Sequence, residues 1–223
     1  GSPVDKRKEW YPRLPYILIL LVSVIITGFV MGKSPNPMEG IVKVFKAMVG
    51  LYPNPISKIL AFLFFSLLVV TGNKFICGWG CPLGALQELI YSIPGLKKIK
   101  VKLPFWLTNG LRVLLFTAML LLLFGIIGGK RGFVVYHFLN AFDLFGFAFD
   151  TPSILIASIA TVVLALVLYR PFCTLICPFG LISWVLERVS FFKVRINHEA
   201  CIDCGACSRA CPTHAAHHKV HKA

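Results

Sequence analysis

An all-α integral membrane protein, with four transmembrane helices arranged as a duplicated helical hairpin and a short cysteine-rich tail, is the architecture this amino-acid sequence predicts. Three observations lead there. Of the 223 residues, 57% are hydrophobic and only 14% charged, and the mean hydropathy is +0.78, far from soluble averages. The apolar residues gather in four long blocks, and a cysteine-proline pattern recurs at an offset of 96 positions. The same figures exclude intrinsic disorder, which needs low hydrophobicity, and a small disulfide scaffold, which has too little core for this much apolar surface. The net charge of +14 would raise a nucleic-acid reading in a soluble domain. Here the basic residues lie in the connecting segments and no groove-reading motif accompanies them, so they bear on membrane orientation and anionic headgroups instead.

A helix rises about 1.5 Å per residue, so about 18 or more apolar residues cross a hydrocarbon core about 30 Å thick. Four stretches meet this: Leu14 to Met31, Ile56 to Gly72 with Lys58 near its start, Phe105 to Ile127 containing Arg112, and Pro152 to Tyr169. Backbone groups in lipid must pair within the segment, which makes each stretch a helix. The first is too long for a signal peptide, and no small-residue cleavage site follows it. The chain begins Gly1-Ser2 without Met, which reads as a processing scar.

Short-loop Lys and Arg set orientation. Sixteen fall in residues 1–15, 73–103 and 170–223, against five in the two loops between (Lys33, Lys43, Lys46, Lys130, Arg131). Both termini and all eight cysteines are therefore expected on the cytoplasmic side of a multi-pass inner-membrane protein. The 96-residue offset places Lys74, Cys77, Cys81, Pro82 and Gly84 on Arg170, Cys173, Cys177, Pro178 and Gly180. This divides the chain into a first membrane repeat (1–103), a second (104–192) and a tail (193–223). Such a duplication implies a pseudo-two-fold axis along the membrane normal, which would bring the two cysteine turns together.

The tail reads Cys201-Ile-Asp-Cys204-Gly-Ala-Cys207-Ser-Arg-Ala-Cys211-Pro212, the C-x2-C-x2-C-x3-C-P run of bacterial ferredoxins. Closely spaced thiolates wrap one face of a cubane, Gly205 permits the tight backbone, and Pro212 redirects the chain. Buried free thiols would not need this period, and zinc more often uses two separated C-x2-C pairs, so the tail is a ferredoxin-like 4Fe-4S segment. Each membrane turn reads C-x3-C-P. Proline suits the first turn of a helix, which puts Cys81 and Cys177 at helix N-termini, where free amides and the positive dipole end favour a thiolate. Lys74 and Arg170 add positive charge. A reducing compartment argues against disulfides.

Eight cysteines make two [4Fe-4S] clusters of four ligands. In one division the tail binds its own cluster, and Cys77, Cys81, Cys173 and Cys177 enclose another. In the crosswise division Cys201, Cys204 and Cys207 take their fourth ligand from a membrane turn, and Cys211 crosses to the second cluster; this one is favoured, because the last Cys of such a run usually faces away from its own cluster.

With these residues in view, the chain resembles the NapH/NosR-like family of membrane iron-sulfur proteins. The resemblance rests on Cys77-Gly-Trp-Gly-Cys81-Pro82-Leu83-Gly84-Ala85-Leu86-Gln87-Glu88 and Arg170-Pro171-Phe172-Cys173-Thr174-Leu175-Ile176-Cys177-Pro178, with four spans and the tail motif. It covers nearly the whole chain. It implies an electron-transfer subunit working between the quinone pool, or another membrane donor, and a partner redox subunit. The sequence departs from larger members in having one ferredoxin run and no soluble flavin-binding domain.

Remaining residues carry less. Arg112 costs about 3 kcal/mol at mid-bilayer, and its place near a helix end predicts that it snorkels to the surface. The outer loops, Met38 to Leu51 and Phe133 to Phe149, are apolar enough to lie in or dip into the interface. The second holds His137 and Asp143, which could accept protons from a quinol, although an interfacial His beside a solvated Asp is the simpler reading. The histidine-rich end, His214 to His221, reads as a frayed terminus. No phosphate loop, catalytic triad or carboxylate pair is present, so no stand-alone substrate chemistry is expected. An alternative function is a copper-handling or redox assembly factor using the membrane Cys pairs, since thiolates suit Cu(I).

Overall fold

The computed structural model describes residues 13–32, 36–51, 55–72, 76–93, 99–126, 134–147, 152–187 and 189–191. Among these the chain is helical and forms no strand; a single parallel bridge joins Val101 to Leu168. Helix α1 (Arg13–Ser23) continues as a π-helix through Val30, and is followed by α2 (Pro37–Met48) and α3 (Pro55–Gly72). A π-helical cysteine turn (Ile76–Gly80) leads into α4 (Pro82–Tyr91). The same order then recurs: α5 (Phe105–Leu123), a short α6 (Val135–Phe138) with a 3-10 turn (Ala141–Gly146), α7 (Pro152–Val167), a second π-helical cysteine turn (Phe172–Ile176) and α8 (Pro178–Leu186).

Each expected span is thus a helix. Only Phe105–Leu123, among the described residues, is long and apolar enough by itself to cross a membrane; Leu14–Val30, Ile56–Gly72 and Pro152–Val167 are apolar but shorter. Their outward faces carry large apolar side chains, including Leu18, Val22, Leu60, Leu67, Leu114, Ile156 and Val163. Polar side chains lie inside: Thr108, Arg112, Ser158, Thr161 and Gln87 are buried.

The loops after α1 and α5 do more than lie at an interface. α2 starts at Asn36, whose side chain accepts from the Glu39 amide at 3.1 Å, with Pro37 in the first turn. It then buries Met38, Ile41, Val42, Val44 and Ala47 against α3 and reaches α8. The loop at 134–147 penetrates further. Tyr136, Ala141, Phe142 and Phe145 are core residues, and the Phe142 ring meets Phe172 of the second cysteine turn edge-on at 6.0 Å. Phe145 fills the space beside Gly28, where an added Cβ would fall 2.6 Å from its ring and 3.3 Å from Pro82. The loop therefore roofs the cysteine turns. Its depth follows from burial of three aromatic side chains, Tyr136, Phe142 and Phe145, within one core.

Candidate metal centre

The two cysteine turns share one local design. Cys81 (φ −81°, ψ 115°) and Cys177 (φ −63°, ψ 118°) are extended N-cap residues, and Pro82 and Pro178 occupy the first helical turn. Proline has no amide to lose at that position and its fixed φ already suits a helix. The Gly84 amide, and those of Phe179 and Gly180, lie where they favour a thiolate on Cys81 and Cys177, though no side-chain cap hydrogen bond is formed. The second turn closes through Cys177 N donating to Phe172 O at 2.9 Å, a five-residue π-turn.

Glycine is required where the turn folds back on its helix. A Cβ at Gly84 would sit 2.6 Å from the Cys77 carbonyl oxygen, and one at Gly180 would sit 2.8 Å from that of Cys173. Both close contacts are with backbone, which cannot swing away as a side-chain tip can.

Cys77, Cys81, Cys173 and Cys177 form no disulfide with one another. They are close enough to interact: Cys81 feels the charges of the other three, and Cys177 those of Cys173 and Cys77. Burial is the main cause pushing the Cys81, Cys173 and Cys177 thiols above their ordinary values. At Cys173 the guanidiniums of Arg170 and Arg112, and the Gln87 amide, pull the other way.

Three side chains hold the turns, and two of them act across the halves of the chain. Arg170, ahead of the second turn, donates from Nη1 to Cys77 O at 2.9 Å and from Nη2 to Gly78 O at 3.1 Å. Its Nε pairs with Glu88 Oε2 at 2.6 Å, and Glu88 also accepts from the Tyr16 hydroxyl at 2.9 Å. Gln87, on α4 and 0% exposed, reciprocates: its Oε1 accepts from Phe172 N at 2.9 Å, and its Nε2 donates to Leu83 O at 3.0 Å and faces Cys173 Sγ at 3.7 Å. Arg112 is the third. It does not snorkel, as its position in the helix suggested, but is 8% exposed and donates to Thr174 O and, at 3.0 Å, to Gly180 O. The carbonyls of the second turn offer its donors better partners than the surface does. Gln87→Leu is expected to cost about 1–3 kcal/mol, because the buried Phe172 amide is left unpaired. Thermal unfolding in detergent micelles checks this; an unchanged transition would mean the Gln87 bridge is dispensable.

Of the other expected residues, His137 is exposed with its ring edge-on to Phe138 at 6.0 Å. Asp143 is buried and accepts from Asn140 Nδ2 at 2.9 Å. The solvated Asp of the simpler reading is therefore corrected: the roofing loop encloses it. Cys201, Cys204, Cys207 and Cys211, with Lys74 and the histidine-rich end, lie outside the described residues. Beside the second turn is an apolar cavity of about 430 Å³ lined by Phe138, Ile156, Ala160, Phe172, Leu175 and Ile176 among others. The Tyr136 hydroxyl is buried with no hydrogen-bond partner among the described residues and lies within electrostatic reach of Cys177; burial chiefly holds it above the usual phenol range.

Gln87, Glu88, Tyr16 and Arg112 carried no metal-site signal in the sequence, although Gln87 and Glu88 fall within the stretch on which the family resemblance rests.

A family model of a 4Fe-4S binding domain matches residues 54–102, and one of a 4Fe-4S dicluster domain matches residues 171–215. The regulatory protein NosR of Pseudomonas aeruginosa is 28% identical over 67% of this chain and 22% of its own length. The chain thus carries two ferredoxin-type 4Fe-4S domain matches and is similar to NosR, consistent with the NapH/NosR-like family. It is also similar to the putative electron transport protein YccM of Escherichia coli, 29% identical over 70% of this chain and 45% of YccM. The methylamine utilization ferredoxin-type protein MauN of Methylorubrum extorquens is 25% identical over 74% of this chain and 56% of MauN. The chain thus spans well under two thirds of each of these three relatives. No solved structure matches. The matched domains indicate iron-sulfur clusters, and together with the electron-transport relatives they support an electron-transfer role; each family match includes one of the two cysteine turns.

Among the described residues, no group of three or more His, Cys, Asp or Glu is arranged to hold a single metal ion. A cubane makes a different demand, since each cysteine meets a different iron and the four stand farther apart than around one ion. Four cysteines outside any disulfide, two of them at helix N-termini, with the guanidiniums of Arg112 and Arg170 nearby, suit that anionic group.

Proposed function

We propose that this protein is a membrane-embedded electron-transfer subunit, relaying electrons through two [4Fe-4S] clusters between a membrane donor such as quinol and a partner redox subunit. The observation that carries the reading is the meeting of two C-x3-C-P turns, from distant halves of the chain, with each half supplying a clamp to the other's turn. Cys77, Cys81, Cys173 and Cys177 would hold cluster irons together with Cys201, Cys204, Cys207 and Cys211 of the tail, in either division of ligands. The bound clusters supply one-electron exchange. The chain's own residues orient the thiols, exclude water and place fixed positive charge.

Two repeats, 1–103 and 104–192, with a cluster-binding tail at 193–223, are the domain organisation this requires. Four spans in an inner membrane, with cysteines and termini cytoplasmic, agree with the outward apolar faces of the helices and the few polar side chains kept inside, as lipid favours. A quinol ring would enter the apolar cavity beside Phe172 and Ile176, which supports a membrane donor and leaves His137 and Asp143 as proton acceptors on the same loop.

The test is iron and acid-labile sulfide on anaerobically purified protein, with electron paramagnetic resonance after dithionite. About eight irons per chain are expected, with Cys→Ser changes at either turn removing one signal. Four irons plus copper would favour the metal-handling alternative, and clusters that never change oxidation state would end the electron-transfer reading. Adding a reduced quinol should bleach cluster absorbance; no bleaching with any quinol would remove that donor.

A further inference from the structure

Arg112 stands apart from every other cation described in the core. It lies in the apolar helix α5, is 8% exposed, and gives hydrogen bonds to two carbonyl oxygens, Thr174 O and Gly180 O, that frame Cys173 and Cys177. Carbonyl dipoles satisfy its donors, with no carboxylate in direct contact. No carboxylate pairs with it among the described residues, whereas Arg170 at the same centre is neutralised by Glu88 at 2.6 Å. The groups within its electrostatic reach are, in order, Cys177, Cys173 and Glu187. A guanidinium is always protonated, and holding one in an apolar interior with no anion in direct contact is unfavourable. Something negative belongs beside the second cysteine turn.

We propose that Arg112 is the internal counter-charge of the cluster ligated at Cys173 and Cys177, and that this charge sets the cluster's reduction potential. The inference rests on the proposed ligation. Reduction adds one electron to the cluster and no proton is required, because the fixed guanidinium already faces the added charge. Arg170 also acts on Cys173, and Glu88, its ion-pair partner, opposes part of that effect. The two arginines hold different turns: Arg170 binds carbonyls of the first, and Arg112 those of the second, without a carboxylate in direct contact.

The test compares wild type, Arg112→Gln and Arg112→Lys, purified anaerobically in detergent, by iron and sulfide content and by redox titration followed with electron paramagnetic resonance. Arg112→Gln keeps hydrogen-bond donors and removes the charge. Its cluster should reduce at least tenfold less favourably, which is about 59 mV lower for one electron, while the second cluster signal stays in place. Arg112→Lys loses the fork and keeps the charge, and should titrate within about threefold of wild type. A fully loaded Arg112→Gln with an unchanged midpoint overturns the proposal. So does Arg112→Lys falling as far as Arg112→Gln, which would make geometry the cause. If Arg112→Gln fails to load iron, Arg112→Lys alone decides by the same threshold. If neither loads while both fold, Arg112 is a scaffold residue only and the proposal fails. A wild type without iron, or Cys173→Ser and Cys177→Ser variants that keep both signals, would instead sink the ligation on which the inference stands.

Discussion

Arg170→Ala is expected to destabilise the protein by about 3–5 kcal/mol, the usual cost of leaving one member of a buried ion pair without its partner. The side chains of Arg170 and Glu88 are 11% and 12% exposed, so solvent screens little of the loss. Truncation also frees the Cys77 and Gly78 carbonyls, the two points by which the second half of the chain holds the first turn. The residue accepts a backbone penalty to be there: its φ of +47° lies in the left-handed region, which costs an L-residue about 1–2 kcal/mol. Arg170→Gly should therefore be less damaging than Arg170→Ala by about 1 kcal/mol, while losing the same contacts. Thermal unfolding of the three proteins in one detergent separates the terms. Equal stability of wild type and Arg170→Ala would show that the pair contributes nothing; Arg170→Gly below Arg170→Ala would refute the strained backbone.

Gly84→Ala should cost the protein a cluster. The added carbon would fall 2.6 Å from the Cys77 carbonyl, and since the obstacle is backbone, the first turn must move as a unit and take the Cys77 thiol with it. Iron content of about half that of wild type is the expected result, one of two clusters being lost. Gly110→Ala is the control. Nothing lies within 4 Å of a Cβ there, and the site is exposed on α5, so alanine should load normally and add up to about 1 kcal/mol from helix propensity. Normal iron in Gly84→Ala would mean that the close approach of turn and helix is not needed for binding.

Residues acting over a few positions were legible in advance. C-x3-C-P placed Cys81 and Cys177 at helix N-termini because proline's φ and missing amide act locally, and both are N-caps. The recurring Gly84 and Gly180 stood in the repeat as well, and the contact of each with its own cysteine turn explains them. The apolar blocks became helices because an unpaired backbone in apolar surroundings has no other remedy. Arg112 was read differently. Helix position alone made the surface its natural destination, and only the carbonyls of Thr174 and Gly180, 62 and 68 residues away, make the interior the better one.

Composition and local spacing, then, settled which segments are helices, where each turn starts and which thiols lie beside a helix end, since these depend on neighbours within one or two turns. Packing between halves decided the rest: Arg170 meeting Glu88 82 positions away, Gln87 bridging to Phe172 across 85, and the loop at 134–147 closing over the turns. Such contacts arise from complementary shape and unmet hydrogen bonds among groups remote along the chain, and no periodicity encodes them.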